Sequence, residues 1–198
     1  MSFFEKILIA NRGEIAIRVM RACRELDIET VAIYSEADKN ALHVKYADEA
    51  FNVGEAHPSK SYLNMDRIID IAHKSGSEAI HPGYGFLAEN PRFAALCEKE
   101  GVVFIGPSSK TIGLMGSKLG SKHTMEAAGV PVLPYTPNGV TSAEGALDMA
   151  ERIGYPVIVK ASAGGGGIGM QIVPDPAALK DAIDKGMRTA KSAFGDST

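Results

Sequence analysis

A run of four glycines at positions 164–167 follows a lysine in the segment KASAGGGGIGMQIV. Each glycine loses more backbone entropy on folding than any other residue, so packing alone is a weak reason for such a run. Lys160 ends the strand-like segment PVIVK, where its ammonium group would emerge at the start of the loop. Backbone N–H groups and a lysine together can bind phosphate, which makes this segment a candidate phosphate-binding flap.

Other interpretations of the glycine loop fit the sequence less well. Gly164, Gly166 and Gly169 match the GxGxxG pattern of dinucleotide-binding proteins, but MQIVPDP continues as a β-rich segment where that fingerprint requires a helix. A kinase-type loop is closer in form, yet the sequence contains no VAIK, HRD or DFG motif. A strand-end lysine that reaches solvent beside a flexible hairpin stays the alternative for Lys160.

A second candidate cation, Lys118, lies in TIGLMGSKLGSKHT at the entry to a predicted helix. Lys122 and His123 follow closely, and spacing alone does not choose among the three. The two cysteines, Cys23 and Cys97, each lie in a helix-like apolar pattern without CxxC spacing. They are therefore predicted to be buried structural thiols.

Composition and charge exclude several classes of function. The 198 residues are 45% hydrophobic and 23% charged, with a net charge of −3, so there is no basic surface for nucleic acid. No apolar run approaches the roughly 20 residues of a membrane span. The N-terminal segment FFEKILIANRGE lacks the long apolar core of a signal peptide, which favours a cytoplasmic protein. The alternative is an organellar form from which a targeting segment has been removed.

Short β-branched segments alternate with helix-like segments from the N-terminus to about Gly116, a pattern typical of βαβ units and a mostly parallel sheet. In the first predicted helix, Ile15, Val19, Cys23 and Leu26 recur at helical spacing and are expected to face the sheet. A second unit is predicted over residues 117–198.

Helix-terminating and capping signals divide the second unit. One helix is expected to begin at Thr141 or Ser142, with Glu144 completing a capping box and Gly154 ending the helix. The strands PVIVK and MQIV should follow on either side of the glycine loop. Asp175 is expected to cap a final helix.

Taken together, four motifs resemble the N-terminal half of biotin carboxylase, a component of biotin-dependent carboxylases in the ATP-grasp superfamily. They are KILIANRGEIAIRVMRACREL, HPGYGFLAEN, FIGPSSKTIGLMGSK and IGYPVIVKASAGGGGIGM, and they occur in the family's order. The resemblance implies an α/β fold: a Rossmann-like (pre-ATP-grasp) parallel sheet with flanking helices over residues 1–116, then a partial ATP-grasp small lobe over residues 117–198.

The resemblance also implies an activity and a set of binding residues. ATP would activate bicarbonate, and the carboxyl group would pass to biotin on a carrier protein or domain. Lys118 and Lys160 would contact the ATP phosphates, and the backbone of Gly166 and Gly167 would form the flap. Tyr84 would lie toward the biotin side, or simply in a turn set by its glycine and proline neighbours. The catalytic residues and the Mg²⁺ ligands would lie in the part of the enzyme beyond these residues, so this chain alone is predicted to be inactive.

Partners follow from the same resemblance. Arg18, Arg21 and Glu25 would lie on a homodimer helix, against the alternative of a solvated surface, and a carboxyltransferase subunit would use the carboxylated carrier. Ile168 stands where the family usually has arginine, which predicts weaker contact with phosphate. The alternative functions are another ATP-grasp ligase and a non-catalytic nucleotide-sensing or subunit-docking module.

Overall fold

The computed structural model describes residues 4–140, 142–160 and 170–194. It divides into two compact units, Met1–Gly113 and Leu114–Thr198. The first unit is built on a five-stranded sheet in the order β3-β2-β1-β4-β5, and every pair of neighbouring strands is parallel. The strands are β1 (Lys6–Ile9), β2 (Glu29–Ser35), β3 (Glu49–Gly54), β4 (Ala79–His81) and β5 (Val103–Phe104).

Helices cover both faces of this sheet, which confirms the predicted parallel α/β architecture. Side chains alternate along β1, so Leu8 packs into one core layer while Ile7 and Ile9 pack into the other. Burial on both faces explains why the strands have nearly continuous apolar sequences. The helices are α1 (Gly13–Glu25), α2 (Leu42–Tyr46), α3 (Met65–Ser75), α4 (Pro91–Lys99) and α5 (Ser109–Gly116).

The buried face of α1 differs in one position from the expected one. Val19 and Cys23 are buried as predicted, but Leu26 is 62% exposed. The helix ends at Glu25, so Leu26 is the C-cap and no longer follows the helical direction that the spacing assumed. Cys97 is buried and unpaired, as is Cys23, which confirms both as structural thiols.

The sequence reasoning missed β3 and α3. Helix α3 carried a clear signal, because Asn64 caps it by accepting a hydrogen bond from the Arg67 N–H and Gly76 ends it with a φ of 70°. Strand β3 is harder to find, since most of its side chains are only half-buried at the edge of the sheet.

The second unit has a smaller core, formed where two helices pack on a two-stranded antiparallel sheet. Ser142 caps the second of its helices by accepting from the Gly145 N–H at 3.2 Å. That cap places Gly145 at the third helical position, so Glu144 lies one residue too early and the predicted capping box is wrong. The elements are α6 (Lys118–Ala127), α7 (Ala143–Ile153), β6 (Val157–Val159), β7 (Gln171–Val173) and α8 (Leu179–Phe194).

Candidate functional site

The carboxyl ends of β1 and β4 meet where the strand order of the first sheet reverses, the place where open α/β sheets bind ligands. Asn11, just after β1, donates hydrogen bonds from Nδ2 to the carbonyl oxygens of Pro82 at 2.9 Å and Tyr84 at 2.7 Å. Gly83 has a φ of 66°, and a Cβ there would come within 2.9 Å of Asn11 Nδ2. The loop after β4 is therefore held against the end of β1 by a contact that only glycine permits.

This loop presents Tyr84 to solvent. The side chain is 61% exposed, and its hydroxyl donates a hydrogen bond to the Glu14 carboxylate on α1, which raises the pKa of Tyr84. On the inner side, His81 Nδ1 accepts a hydrogen bond from the Gly83 N–H at 3.0 Å, and burial lowers the pKa of His81. The phenol is thus oriented outward by a carboxylate, while the imidazole is held in its neutral form.

A buried polar network lies at the neighbouring ends of β1 and β2. The Asp38 carboxylate accepts hydrogen bonds from Arg12 at 2.5 Å, from the Tyr62 hydroxyl at 2.6 Å and from Ser35 Oγ at 3.1 Å. Burial alone would raise the pKa of Asp38, but these donors outweigh it and lower the pKa. The Tyr62 ring also stacks on Phe86 with centroids 5.1 Å apart, which connects the network to the loop that carries Tyr84.

His43, on α2, connects the start of α1 to strand β2 beside this network. Its Nε2 donates to the Ile33 carbonyl oxygen at 3.2 Å, and its Nδ1 accepts from the Gly13 N–H at 3.4 Å. Burial lowers the pKa of His43, consistent with a neutral ring between one donor and one acceptor. Sequence reasoning missed this network; the available signal was the row of polar residues directly after the buried strand β2.

The second unit carries the lysines that the sequence singled out. Lys118 begins α6 beside its cap, Ser117, and Lys122 lies one turn further along the same face of the helix. Lys160 directly follows β6 and is exposed, so it lies at the end of a strand as the segment PVIVK predicted. The pKa of Lys122 is lowered by burial and by repulsion from the charge of Lys160.

An apolar surface lies on the strand that leads to Lys160. Ile158 of β6 is 55% exposed and pairs across the sheet with Ile172 of β7, which is 75% exposed. Met170, just before β7, is also exposed. The alternate residues Val157 and Val173 face the other way, into the core with α7 and α8. One face of this small sheet therefore presents large apolar side chains next to a cation.

The predicted flap residues Gly166 and Gly167, and the atypical Ile168, lie outside the described residues. Within residues 4–140, 142–160 and 170–194, no group of three His, Cys, Asp or Glu side chains could hold a metal ion. In the same ranges, no helix combines the length and apolarity needed to cross a bilayer. Of the predicted binding residues, Lys118 and Lys160 belong to the second unit and Tyr84 to the first.

Two family models match the chain, one within each of the two units. Residues 3–112 match the family model described as biotin carboxylase, N-terminal domain, and the chain belongs to the biotin carboxylase family. Residues 117–198 match a second model, described as carbamoyl-phosphate synthase L chain, ATP binding domain.

Curated relatives and solved structures cover nearly the whole chain. Biotin carboxylase 2 of Bacillus subtilis is 55% identical over 98% of the chain, and biotin carboxylase of Halalkalibacterium halodurans is 52% identical over 98%. The chain spans 44% and 43% of the lengths of these two relatives.

Among solved structures, the biotin carboxylase domain dimer of Hydrogenobacter thermophilus 2-oxoglutarate carboxylase, in complex with MgADP, ADP and bicarbonate, is 52% identical with a TM-score of 0.92. That comparison covers 100% of this chain and 43% of the other. A biotin carboxylase–β,γ-ATP complex from Campylobacter jejuni is 47% identical with a TM-score of 0.93, covering 98% of this chain and 44% of the other.

Proposed function

We propose that the chain is the N-terminal part of a biotin carboxylase, which uses ATP and bicarbonate to carboxylate biotin on a carrier protein or domain. The observation that carries this proposal is the placement of Lys160 beside the exposed apolar face of β6 and β7. ATP combines an apolar base with a strongly anionic phosphate chain, and this surface offers a complementary environment to each part. The relatives solved with MgADP and bicarbonate or with β,γ-ATP support the same ligands.

In this proposal, the phosphate chain lies along Lys118 and Lys160, and the adenine packs on Ile158 and Ile172. An ammonium group offsets phosphate charge more strongly where water is partly excluded. The backbone N–H groups of Gly166 and Gly167 would then complete the phosphate site from the flap. Ile168 adds no donor there, so the flap would depend on its backbone more than in relatives with arginine.

Mg²⁺ would neutralise the phosphates during transfer, and its hard oxygen ligands would come from outside the described residues of this chain. The part that this chain plays in the reaction is accordingly nucleotide binding and orientation.

Tyr84, in the first unit, is proposed to lie toward biotin. Its hydroxyl is already engaged by Glu14, so the exposed ring offers an oriented surface rather than a mobile one. The attachment of its loop to Asn11 further limits the positions that the ring can adopt.

We further propose homodimerisation through α1, where Arg18, Arg21 and Glu25 are all exposed. A relative solved as a dimer supports an assembly of this kind. The carrier protein and a carboxyltransferase subunit would be the functional partners. A cytoplasmic location is proposed, although two relatives are named as mitochondrial.

Lys160→Gln in the full-length enzyme tests the proposal. Loss of a charge-assisted phosphate contact should weaken ATP binding by about ten- to a hundredfold. Lys180→Gln, an exposed lysine on α8, is the matched control and should leave binding unchanged. Equal ATP affinity in both variants would contradict the assignment, and ATP binding without bicarbonate-dependent hydrolysis would favour a nucleotide-sensing module.

A further inference from the structure

Lys122 occupies an unusual electrostatic position for a lysine in the second unit. It is half-buried on α6, one helical turn after Lys118, so the two side chains project from the same face. Lys160 lies near enough to repel its charge. Burial and this repulsion together lower the pKa of Lys122, because both disfavour the charged ammonium.

The contacts of Lys122 orient its ammonium without neutralising it. Nζ lies 4.6 Å from the centroid of the Tyr135 ring and 3.5 Å from the Leu133 carbonyl oxygen, at the limit of a hydrogen bond. No carboxylate among the described residues comes within 4.0 Å of it. An aromatic face and a distant carbonyl are weak partners for a partly desolvated cation.

Among the described residues, the ionisable groups around Lys122 form no ion pair with it. The Glu126 carboxylate accepts a hydrogen bond from the Tyr135 hydroxyl at 3.1 Å and lies more than 4.0 Å from Lys122 Nζ. The His123 ring packs against Tyr135 with centroids 5.6 Å apart. Two ammonium groups that repel each other are stabilised when an anion binds between them.

We propose that Lys122 is a further phosphate-binding residue, which joins Lys160 around the phosphate chain of the same nucleotide. This inference rests on the proposed nucleotide site and adds to it a residue that spacing alone could not select. Tyr135 acts as a positioning residue, because its ring holds the Lys122 ammonium. Binding of the phosphates then replaces a repulsion between two cations with an attraction that both share.

The test measures binding of ATP and of adenosine to the full-length enzyme by calorimetry, without bicarbonate or biotin. Lys122→Met should weaken ATP binding by about tenfold or more while adenosine binding stays unchanged, since adenosine carries no phosphate. Lys122→Arg keeps the charge and should bind ATP within a few-fold of the original enzyme. Lys180→Met on α8 is the control.

The outcomes separate this inference from the proposal on which it rests. If Lys160→Gln weakens ATP binding and Lys122→Met does not, Lys122 is not a phosphate ligand and the nucleotide site stands. If neither variant changes ATP binding, the nucleotide site itself is wrong. Equal losses for ATP and adenosine would show that Lys122 is structural and would overturn the inference. Should Lys122→Met fail to fold, Lys122→Gln carries the same comparison.

Discussion

Replacement of Asp38 by asparagine should destabilise the first unit by an amount that its contacts define. One carboxylate oxygen accepts from Arg12, and the other accepts from both Tyr62 and Ser35. Asparagine keeps the shape but has a single acceptor oxygen. If that oxygen faces Tyr62, the amide N–H₂ faces the Arg12 guanidinium, so that two hydrogen-bond donors oppose each other. If the oxygen faces Arg12 instead, the hydroxyl groups of Tyr62 and Ser35 lose their acceptor.

The magnitude follows from which contacts are buried. A hydrogen bond to a charged group contributes about 1.5–3 kcal/mol, and at least one is lost in either orientation. Arg12 is 50% exposed, so solvent screening reduces its share, whereas the Tyr62 side chain is almost fully enclosed. We expect the free energy of unfolding to fall by about 2–4 kcal/mol at neutral pH.

The effect should depend on pH in a defined direction. The folded-state pKa of Asp38 lies below its ordinary value of 3.8, so the unfolded chain takes up the proton first on acidification. The stabilisation by the carboxylate is fully present above that ordinary value and is lost as the pH falls through the folded-state pKa. The difference between the original protein and Asp38→Asn should therefore shrink in acid.

Urea denaturation followed by circular dichroism, at neutral pH and at about pH 3, measures both quantities. Asp70→Asn is the matched control, because Asp70 lies on the exposed face of α3. A cost no larger than that of Asp70→Asn, or one that stays constant into acid, would refute the account of the network.

Three further outcomes are expected. Gly54→Ala should lower the free energy of unfolding by more than about 2 kcal/mol in the same assay, because a Cβ at this position would lie 2.1 Å from the Lys60 carbonyl oxygen. A smaller loss of stability would contradict this close approach. Burial raises the pKa of Cys97 to about 12, so a thiol reagent at about pH 8 should modify this thiol only after the protein unfolds. Rapid labelling of Cys97 in the native protein would be inconsistent with that burial. The pKa of Lys122 is lowered from 10.5, so the full-length enzyme should lose ATP affinity at a lower pH than the Lys122→Arg variant does. Identical curves of ATP affinity against pH for the two proteins would argue against a charged Lys122 at the phosphates.

The amino-acid sequence alone predicted the parallel α/β class of the first unit, although not β3 or α3, and the two strands and last two helices of the second unit. Alternation of short apolar segments with helical periodicity is a local property, and it predicted the parallel sheet. Capping signals predicted a helix start at Thr141 or Ser142, and Ser142 is the cap. The predicted cap of the final helix at Asp175 is wrong, because Asp175 caps a 3-10 turn, Pro176–Ala178, and α8 begins at Leu179. The position of Lys160 at the end of a strand was equally readable, because it depends only on the neighbouring residues. Four motifs in the family's order pointed to the family by resemblance.

Tertiary structure decided which polar side chains meet. Asp38 and Tyr62 are 24 residues apart, and the Asn11 side chain reaches Tyr84 across 73. Such contacts depend on which strand ends lie side by side, and no local periodicity encodes that order. The repulsion between Lys122 and Lys160 has the same origin, because the two lysines belong to α6 and to the residue after β6, which are far apart in the sequence. The chemical type of each side chain could therefore be read from the sequence, whereas its electrostatic environment could be known only from the tertiary structure.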